Sequence, residues 1–166
     1  MGPTGENSRS LTNGKISAGS GLKPKVSGET RILIVCDDES ITKRLLIAFQ
    51  ESGFTSECAR SMTAGCACAR SGRFQVVFTT PVLVDGSWRR LVEIGDHYNL
   101  GFEIVLVAST FDANHWTREL EEGAFDVLDA LHELPRAAEV AKCALWAVYL
   151  KGAGPSPEVA TPSKAA

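Results

Sequence analysis

Long apolar runs are missing from this sequence. In 166 residues no stretch approaches the roughly 18 uncharged apolar residues that a membrane helix needs, which excludes a membrane-spanning protein. The first residues, Met1 to Glu6, carry no apolar run either, so we expect no secretory signal. Glu6 also stands where the N-terminal myristoylation motif needs Ser or Thr, so we expect no myristoylation. The sequence therefore predicts a cytoplasmic protein.

An excess of positive charge is missing as well. The 17 Lys and Arg residues are outnumbered by 20 Asp and Glu residues, so the chain lacks the basic character that nucleic-acid binding requires. The sequence also lacks the spacing of ligands that a structural zinc site needs, because the five cysteines include no C-x-x-C pair. Cys66 and Cys68 lie in a predicted helix, where residues two apart point about 200° away from each other. We expect reduced thiols that act as small apolar packing groups.

The two ends of the chain differ in composition from its middle. Residues 1–28 are dominated by Gly, Ser, Thr, Pro, Asn and Lys, and residues 152–166 by Pro, Ala, Ser and Gly. Such segments cannot bury enough apolar surface to fold, so both are predicted to be disordered tails. One folded domain is expected between them, at residues 29–151.

Within that domain, short apolar segments alternate with helical patterns. Strands are predicted at 31–36, 54–59, 74–80, 102–108 and 124–128, and each is followed by a helix. Ser61 and Asp112 are predicted N-caps, and Pro135 lies in the first turn of the last helix. Five such units predict an α/β fold, a three-layer sandwich around a five-stranded parallel sheet.

Ligands of open parallel sheets bind beyond the carboxyl ends of the strands. The first strand is followed by Cys36, Asp37, Asp38 and Glu39, where a dinucleotide site needs a glycine-rich turn. A dinucleotide site is therefore excluded. An acidic cluster suits a hard cation or a basic group of a partner.

Four segments resemble the receiver domain of bacterial two-component response regulators. They are RILIVCDDESI at 31–41, FQVVFTT at 74–80, VDGS at 84–87 and EGAFDVL at 122–128. The resemblance covers essentially all of residues 31–150. It implies a flavodoxin-like receiver fold with the strand order 2-1-3-4-5.

The resemblance also shows where the phosphorylation site departs from the family. An active receiver takes a phosphoryl group from a histidine kinase onto an aspartate that ends the third strand, and Thr80 occupies that position. The acidic pair that holds Mg²⁺ falls on Cys36 and Asp37, whereas Asp38 is expected to begin the following helix. Only Asp37 remains as a metal ligand, so we expect no cofactor, and Mg²⁺ binding is disfavoured.

The remaining switch positions depart in the same way. The family's hydroxyl residue at the end of the fourth strand aligns with Ala108, and Ser109 lies one position further along. The lysine that pairs with the phosphate aligns with Ala130, and the aromatic switch residue aligns with Val127. The resemblance thus implies a degenerate receiver, or pseudo-receiver. No nucleophile–base pair is visible in the sequence, so we do not expect an enzyme.

The last helix carries a second apolar surface that its core-facing residues do not explain. Val140, Trp146 and Tyr149 are predicted to face outward, and Trp116 on the fourth helix is predicted to lie near them. In receivers the face formed by the fourth helix, fifth strand and fifth helix commonly mediates dimerisation or output contacts. A homodimer or a signalling protein, such as a histidine kinase or another regulator, is the expected partner. Alternatively, these residues only cover the edge of the core.

These observations favour a stand-alone signalling module that acts through protein–protein contact and without phosphorylation. Two alternatives stay open. In the first alternative, the chain is still phosphorylated, on the atypical acceptor Asp37 or Asp85. In the second, the emptied pocket binds a small ligand.

Overall fold

Helices and strands alternate along the part of the chain that the computed structural model describes, residues 30–109 and 113–153. The strands of the main sheet are β1 (Arg31–Val35), β2 (Thr55–Ala59), β3 (Val76–Thr79), β4 (Glu103–Ala108) and β5 (Asp126–Asp129). The helices are α1 (Glu39–Glu51), α2 (Met62–Ala69), α3 (Arg89–His97), α4 (Ala113–Glu121) and α5 (Ala137–Ala153).

All strand pairs of the main sheet are parallel, in the order β2-β1-β3-β4-β5. Val35 of β1 pairs with Ala59 of β2 on one side and with Thr79 of β3 on the other. Strand β1, an inner strand of the sheet, is buried from Ile32 to Val35, as its continuous apolar sequence requires. The predicted fold class and strand order are confirmed.

The sheet separates two apolar layers, because successive side chains of a strand point to opposite faces. Ile32 and Ile34 pack with α1 and α5 on one face. Leu33 and Val35 pack on the other face with α2 and α3, and Trp116 of α4 contacts that layer. Helix, sheet and helix thus form the predicted three-layer sandwich.

Side-chain caps fix two of the helix starts. The Asp38 Oδ1 accepts a hydrogen bond from the Ile41 N–H at 3.0 Å, so Asp38 begins α1 as predicted. The Ser61 Oγ accepts from the Ala64 N–H at 3.0 Å, which confirms the predicted cap of α2. Three predicted features lie outside the described residues: the cap Asp112, the tail at 1–28, and residues 154–166 of the tail that was predicted at 152–166.

Two elements differ from the sequence prediction. A short antiparallel hairpin, which is not among the five predicted strands, joins Val82–Leu83 to Gly86–Ser87 between β3 and α3. The last helix starts after a 3₁₀ turn at Leu134–Arg136 and continues to Ala153, so residues 152 and 153, which were predicted to begin the C-terminal tail, are helical. Near its end, the Lys151 Nζ lies 2.8 Å from the Glu103 Oε2.

No helix in the described ranges is both long enough and apolar enough to cross a lipid bilayer.

Candidate functional site

A polar pocket of about 340 Å³ lies at the carboxyl ends of β1, β3 and β4. It is lined by Asp37, Asp38, Thr80, Ala108 and Ser109, together with apolar side chains of neighbouring segments. The parallel register brings these residues together, because β3 pairs with β1 on one side and with β4 on the other. The structure thus assembles four of the six predicted pocket residues at one place.

Thr80 lies at the centre of the strand ends. Its N–H donates to the Val35 carbonyl oxygen at 3.3 Å, which holds the residue beside β1. Its Oγ1 is buried and has no hydrogen-bond partner among residues 30–109 and 113–153. The neighbouring Thr79 hydroxyl donates to the Thr80 carbonyl oxygen at 2.9 Å. Within the described part of the chain no base contacts the Thr80 hydroxyl, and a neutral hydroxyl without a base is a weak nucleophile.

The two acids of the pocket have different roles. The Asp38 carboxylate is engaged as the α1 cap, and Asp37 is exposed to solvent. Mg²⁺ requires an octahedral set of oxygen ligands that usually includes more than one anionic group from protein or substrate. In the described part of the chain no group of three or more His, Cys, Asp or Glu side chains gathers at one point. Asp37 is thus the one carboxylate of the pocket that is not engaged as a helix cap.

Cys36 and Ala130 do not line the pocket, contrary to the sequence prediction. Cys36 is 2% exposed and Ala130 is 4% exposed, and both lie in the apolar layer beneath α1 and α5. The reason is the alternation along the chain, since Cys36 shares a face with Ile34 and Asp37 takes the opposite face. Burial raises the pKa of the Cys36 thiol, so it stays protonated and unreactive.

Arg44 is a functional candidate that the sequence did not reveal. Its Nη1 donates to the Ala130 carbonyl oxygen at 3.4 Å, across 86 residues of sequence. A cation therefore reaches the backbone of the position that would carry the family's lysine. A contact of this range has no local sequence signal.

A second and larger cavity, of about 940 Å³, lies between the hairpin, the ends of β4 and β5, and α4. Val127, at the predicted switch position, lines it and is 8% exposed. Trp116 and Glu119 form part of the α4 wall. This cavity adjoins the polar pocket, because Ala108 lines both.

Asp85, the alternative phosphoacceptor, is engaged elsewhere. Its two carboxylate oxygens accept hydrogen bonds from the N–H groups of Met62 and Thr63, each at 2.8 Å. Hydrogen bonds from Thr63 and Met62 lower the Asp85 pKa to about 2. The carboxylate thus fastens the hairpin to the start of α2, and it is not among the residues that line the polar pocket.

Solved structures resemble this architecture closely, although no protein-family model and no curated protein sequence matches the chain. A signal receiver domain from Vibrio parahaemolyticus has a TM-score of 0.69 at 13% identity, covering 75% of this chain and 96% of that one. The chain has the receiver fold. A CheY-like receiver domain from Methanospirillum hungatei has a TM-score of 0.64 at 21% identity, covering 74% and 98% of the two chains. An orphan response regulator of H. pylori has a TM-score of 0.60 at 12% identity, covering 71% and 98%.

The predicted interface residues lie on α4 and α5, and they differ in how exposed they are. Trp146 and Tyr149 are 44% and 45% exposed, and their rings meet edge to face at 5.6 Å between centroids. Trp116 is half-buried against the core. Val140 is 4% exposed and packs in the layer beneath α5, so its prediction as an interface residue is wrong. Val140 lies one turn from Ala137 and Ala144, which define the buried stripe of this helix.

Proposed function

We propose that this chain is a receiver-like signalling module whose output does not depend on phosphorylation. The observation that carries the proposal is the neutral centre of the polar pocket. Thr80 stands where the receiver family has its acceptor aspartate, and no base among the described residues contacts its buried hydroxyl. An uncharged oxygen without a base does not attack a phosphoryl donor at a useful rate.

The surroundings of Thr80 support the same conclusion. Phosphoryl transfer depends on cations that neutralise the charge of the moving group. Ala108 and Ala130 replace the family's hydroxyl and lysine, and Arg44 reaches the backbone of Ala130 rather than the pocket. The alternative acceptor Asp85 is held by two backbone N–H groups, and Asp37 is the one pocket acid not engaged as a helix cap.

We propose further that the module works in the cytoplasm through protein contacts on the face formed by α4, β5 and α5, and that it is not an enzyme. Trp146 and Tyr149 present aromatic surface on α5, next to Leu150, which is 61% exposed. Exposed aromatic clusters of this kind are frequent anchors of protein interfaces. A second copy of the chain or a signalling protein, such as a histidine kinase or another regulator, is the proposed partner.

Intact-mass spectrometry after incubation with acetyl phosphate and Mg²⁺ tests the first part of the proposal. We expect the mass of the full chain to stay unchanged. A Thr80→Asp, Ala108→Thr variant, which returns two of the family's groups to the pocket, is the matched comparison. A stable gain of one phosphoryl group on the unaltered chain would contradict the proposal, and Asp37→Asn and Asp85→Asn variants would then identify the acceptor.

The contact surface is tested by light scattering after size exclusion, which detects self-association, and by capture of a purified histidine kinase on the immobilised chain. We expect Trp146→Ala to weaken self-association or partner capture. Tyr98→Ala is the control, because Tyr98 is an aromatic residue, 48% exposed, at the end of α3, which packs on the opposite face of the sheet from α5. Equal loss in both variants, or no loss in either, would count against this face.

A further inference from the structure

The larger cavity has the size and lining of a small-molecule site. Its volume of about 940 Å³ lies in the range of about 300–1,000 Å³ that is typical of ligand pockets. Leu106 and Val127 supply an aliphatic wall from β4 and β5, and Trp116 supplies an aromatic one from α4. Apolar walls with a few polar groups are the usual composition of such sites.

Glu119 is the polar group that distinguishes this cavity. It lines the cavity and is 5% exposed. Its Oε2 lies 3.1 Å from the His115 Nε2, but its Oε1 is buried and has no hydrogen-bond partner within residues 30–109 and 113–153. A buried carboxylate oxygen without a donor costs free energy, and native proteins rarely leave one unsatisfied. The cavity wall therefore contains an acceptor that lacks a donor.

The charges around Glu119 restrict what the donor can be. Arg89, which also lines the cavity, forms an ion pair with Glu122. Val127 is a small side chain at a position where the resemblance implies an aromatic ring. The lining also contains His115, which contacts the Glu119 Oε2, as well as Arg118 and Asp129, of which Asp129 forms a hydrogen bond with His132. The apolar part of the wall comes from Leu106, Val127 and Trp116. We therefore expect the donor for the Glu119 Oε1 to be carried on an apolar body that packs against these three side chains.

We propose that this cavity binds a small, flat apolar molecule bearing an amine, whose N–H donates to the Glu119 Oε1 while its body packs between Trp116 and Val127. The proposal concerns a different cavity from the polar pocket at Thr80. It holds whether or not the chain can be phosphorylated.

Tryptamine and indole-3-propionate form a matched pair of probes, because both carry an indole ring and they differ in ending in an ammonium or a carboxylate group. Isothermal titration calorimetry and amide NMR of the full chain measure the binding. We expect saturable tryptamine binding with shifts at Val127 and at the Trp116 indole N–H. We expect indole-3-propionate to bind at least tenfold more weakly. Absence of tryptamine binding, or equal affinity for the two probes, would overturn the proposal.

Three variants connect the binding to the cavity. Glu119→Gln keeps the shape and removes the charge, so tryptamine affinity should fall about tenfold, the usual advantage of a charge-assisted hydrogen bond. Glu121→Gln, at an exposed position of α4, should bind as the unaltered chain does. Val127→Phe fills the cavity without touching the acid and should abolish binding. If either folded cavity variant binds tryptamine as the unaltered chain does, the proposal is wrong.

Discussion

The packing of α2 against β1 depends on the absence of a side chain at Gly65. A Cβ atom placed there would lie 2.7 Å from both the Cγ1 and the Cγ2 of Val35, and 3.2 Å from its Cβ. Ordinary contacts of a Cβ begin at 3.4 Å, so each methyl group is 0.7 Å too close. Rotation of the valine cannot relieve the contact with its Cβ, and Val35 is fully buried. We therefore predict that Gly65→Ala destabilises the fold.

The expected magnitude is the difference of two opposing effects. Overpacking of a well-packed core costs about 1–3 kcal/mol. Replacing a glycine within a helix by alanine stabilises it by up to about 1 kcal/mol. The free energy of unfolding should therefore fall by about 1 kcal/mol in Gly65→Ala. Gly95→Ala in α3 is the matched control, because its nearest contact is the Phe102 Cζ at 3.4 Å, and it should be neutral or stabilising.

Urea denaturation followed by circular dichroism measures both variants, and a double-mutant cycle with Val35→Ala tests the cause. In the Val35→Ala background the two contacts at 2.7 Å are gone and only the 3.2 Å contact with the Cβ remains, so the destabilisation by Gly65→Ala should become smaller. The reasoning is refuted if Gly65→Ala raises stability as Gly95→Ala does, or if its effect is the same in both backgrounds.

Three further predictions follow from the buried and capped residues. The Asp85 pKa is lowered from 3.8 to about 2, so the stability that the Asp85 carboxylate contributes is complete above pH 3.8 and is lost as the pH falls through about 2. Acid unfolding should show this loss of stability, and the Asp85→Asn variant should not show it. Val140→Ala should lower the free energy of unfolding by about 1.6 kcal/mol, since it removes two buried methyl groups at about 0.8 kcal/mol each, whereas Tyr149→Ala should change it by less than about 0.5 kcal/mol in urea denaturation. Peptide mapping after brief treatment with iodoacetamide at neutral pH should find the exposed Cys143 modified and the buried Cys36 protected, and equal labelling of the two under native conditions would contradict the burial of Cys36.

Much of the fold follows from local sequence patterns. The apolar segment that forms β1 and the caps at Asp38 and Ser61 are properties of a few adjacent residues, so they could be predicted. Side-chain direction at the ends of strands was harder to predict. Cys36 and Ala130 each come directly after a strand whose carboxyl end faces the pocket. Because successive side chains point to opposite faces of the sheet, both side chains lie in the core.

The remaining differences arise from contacts between distant segments. Val140 was assigned to the outer surface because α5 is apolar on more than one side, and only its position over the sheet selects the buried stripe. The contact of Arg44 with Ala130 joins α1 to the loop after β5, and it has no counterpart in the local sequence. Glu119 is an ordinary helical glutamate in sequence, and its burial beside a cavity depends on how α4 lies against the strand ends.

The most direct test of the central claim is the amide NMR spectrum of the full chain with and without Mg²⁺ and beryllofluoride, a stable mimic of a phosphoryl group. We expect unchanged signals for Asp37, Thr80 and Ala108, because Thr80 is neutral and Asp37 is the one acid of the pocket that is not engaged as a helix cap. Saturable shifts at these three residues, extending to Val127, would contradict the claim by showing a working phosphorylation switch.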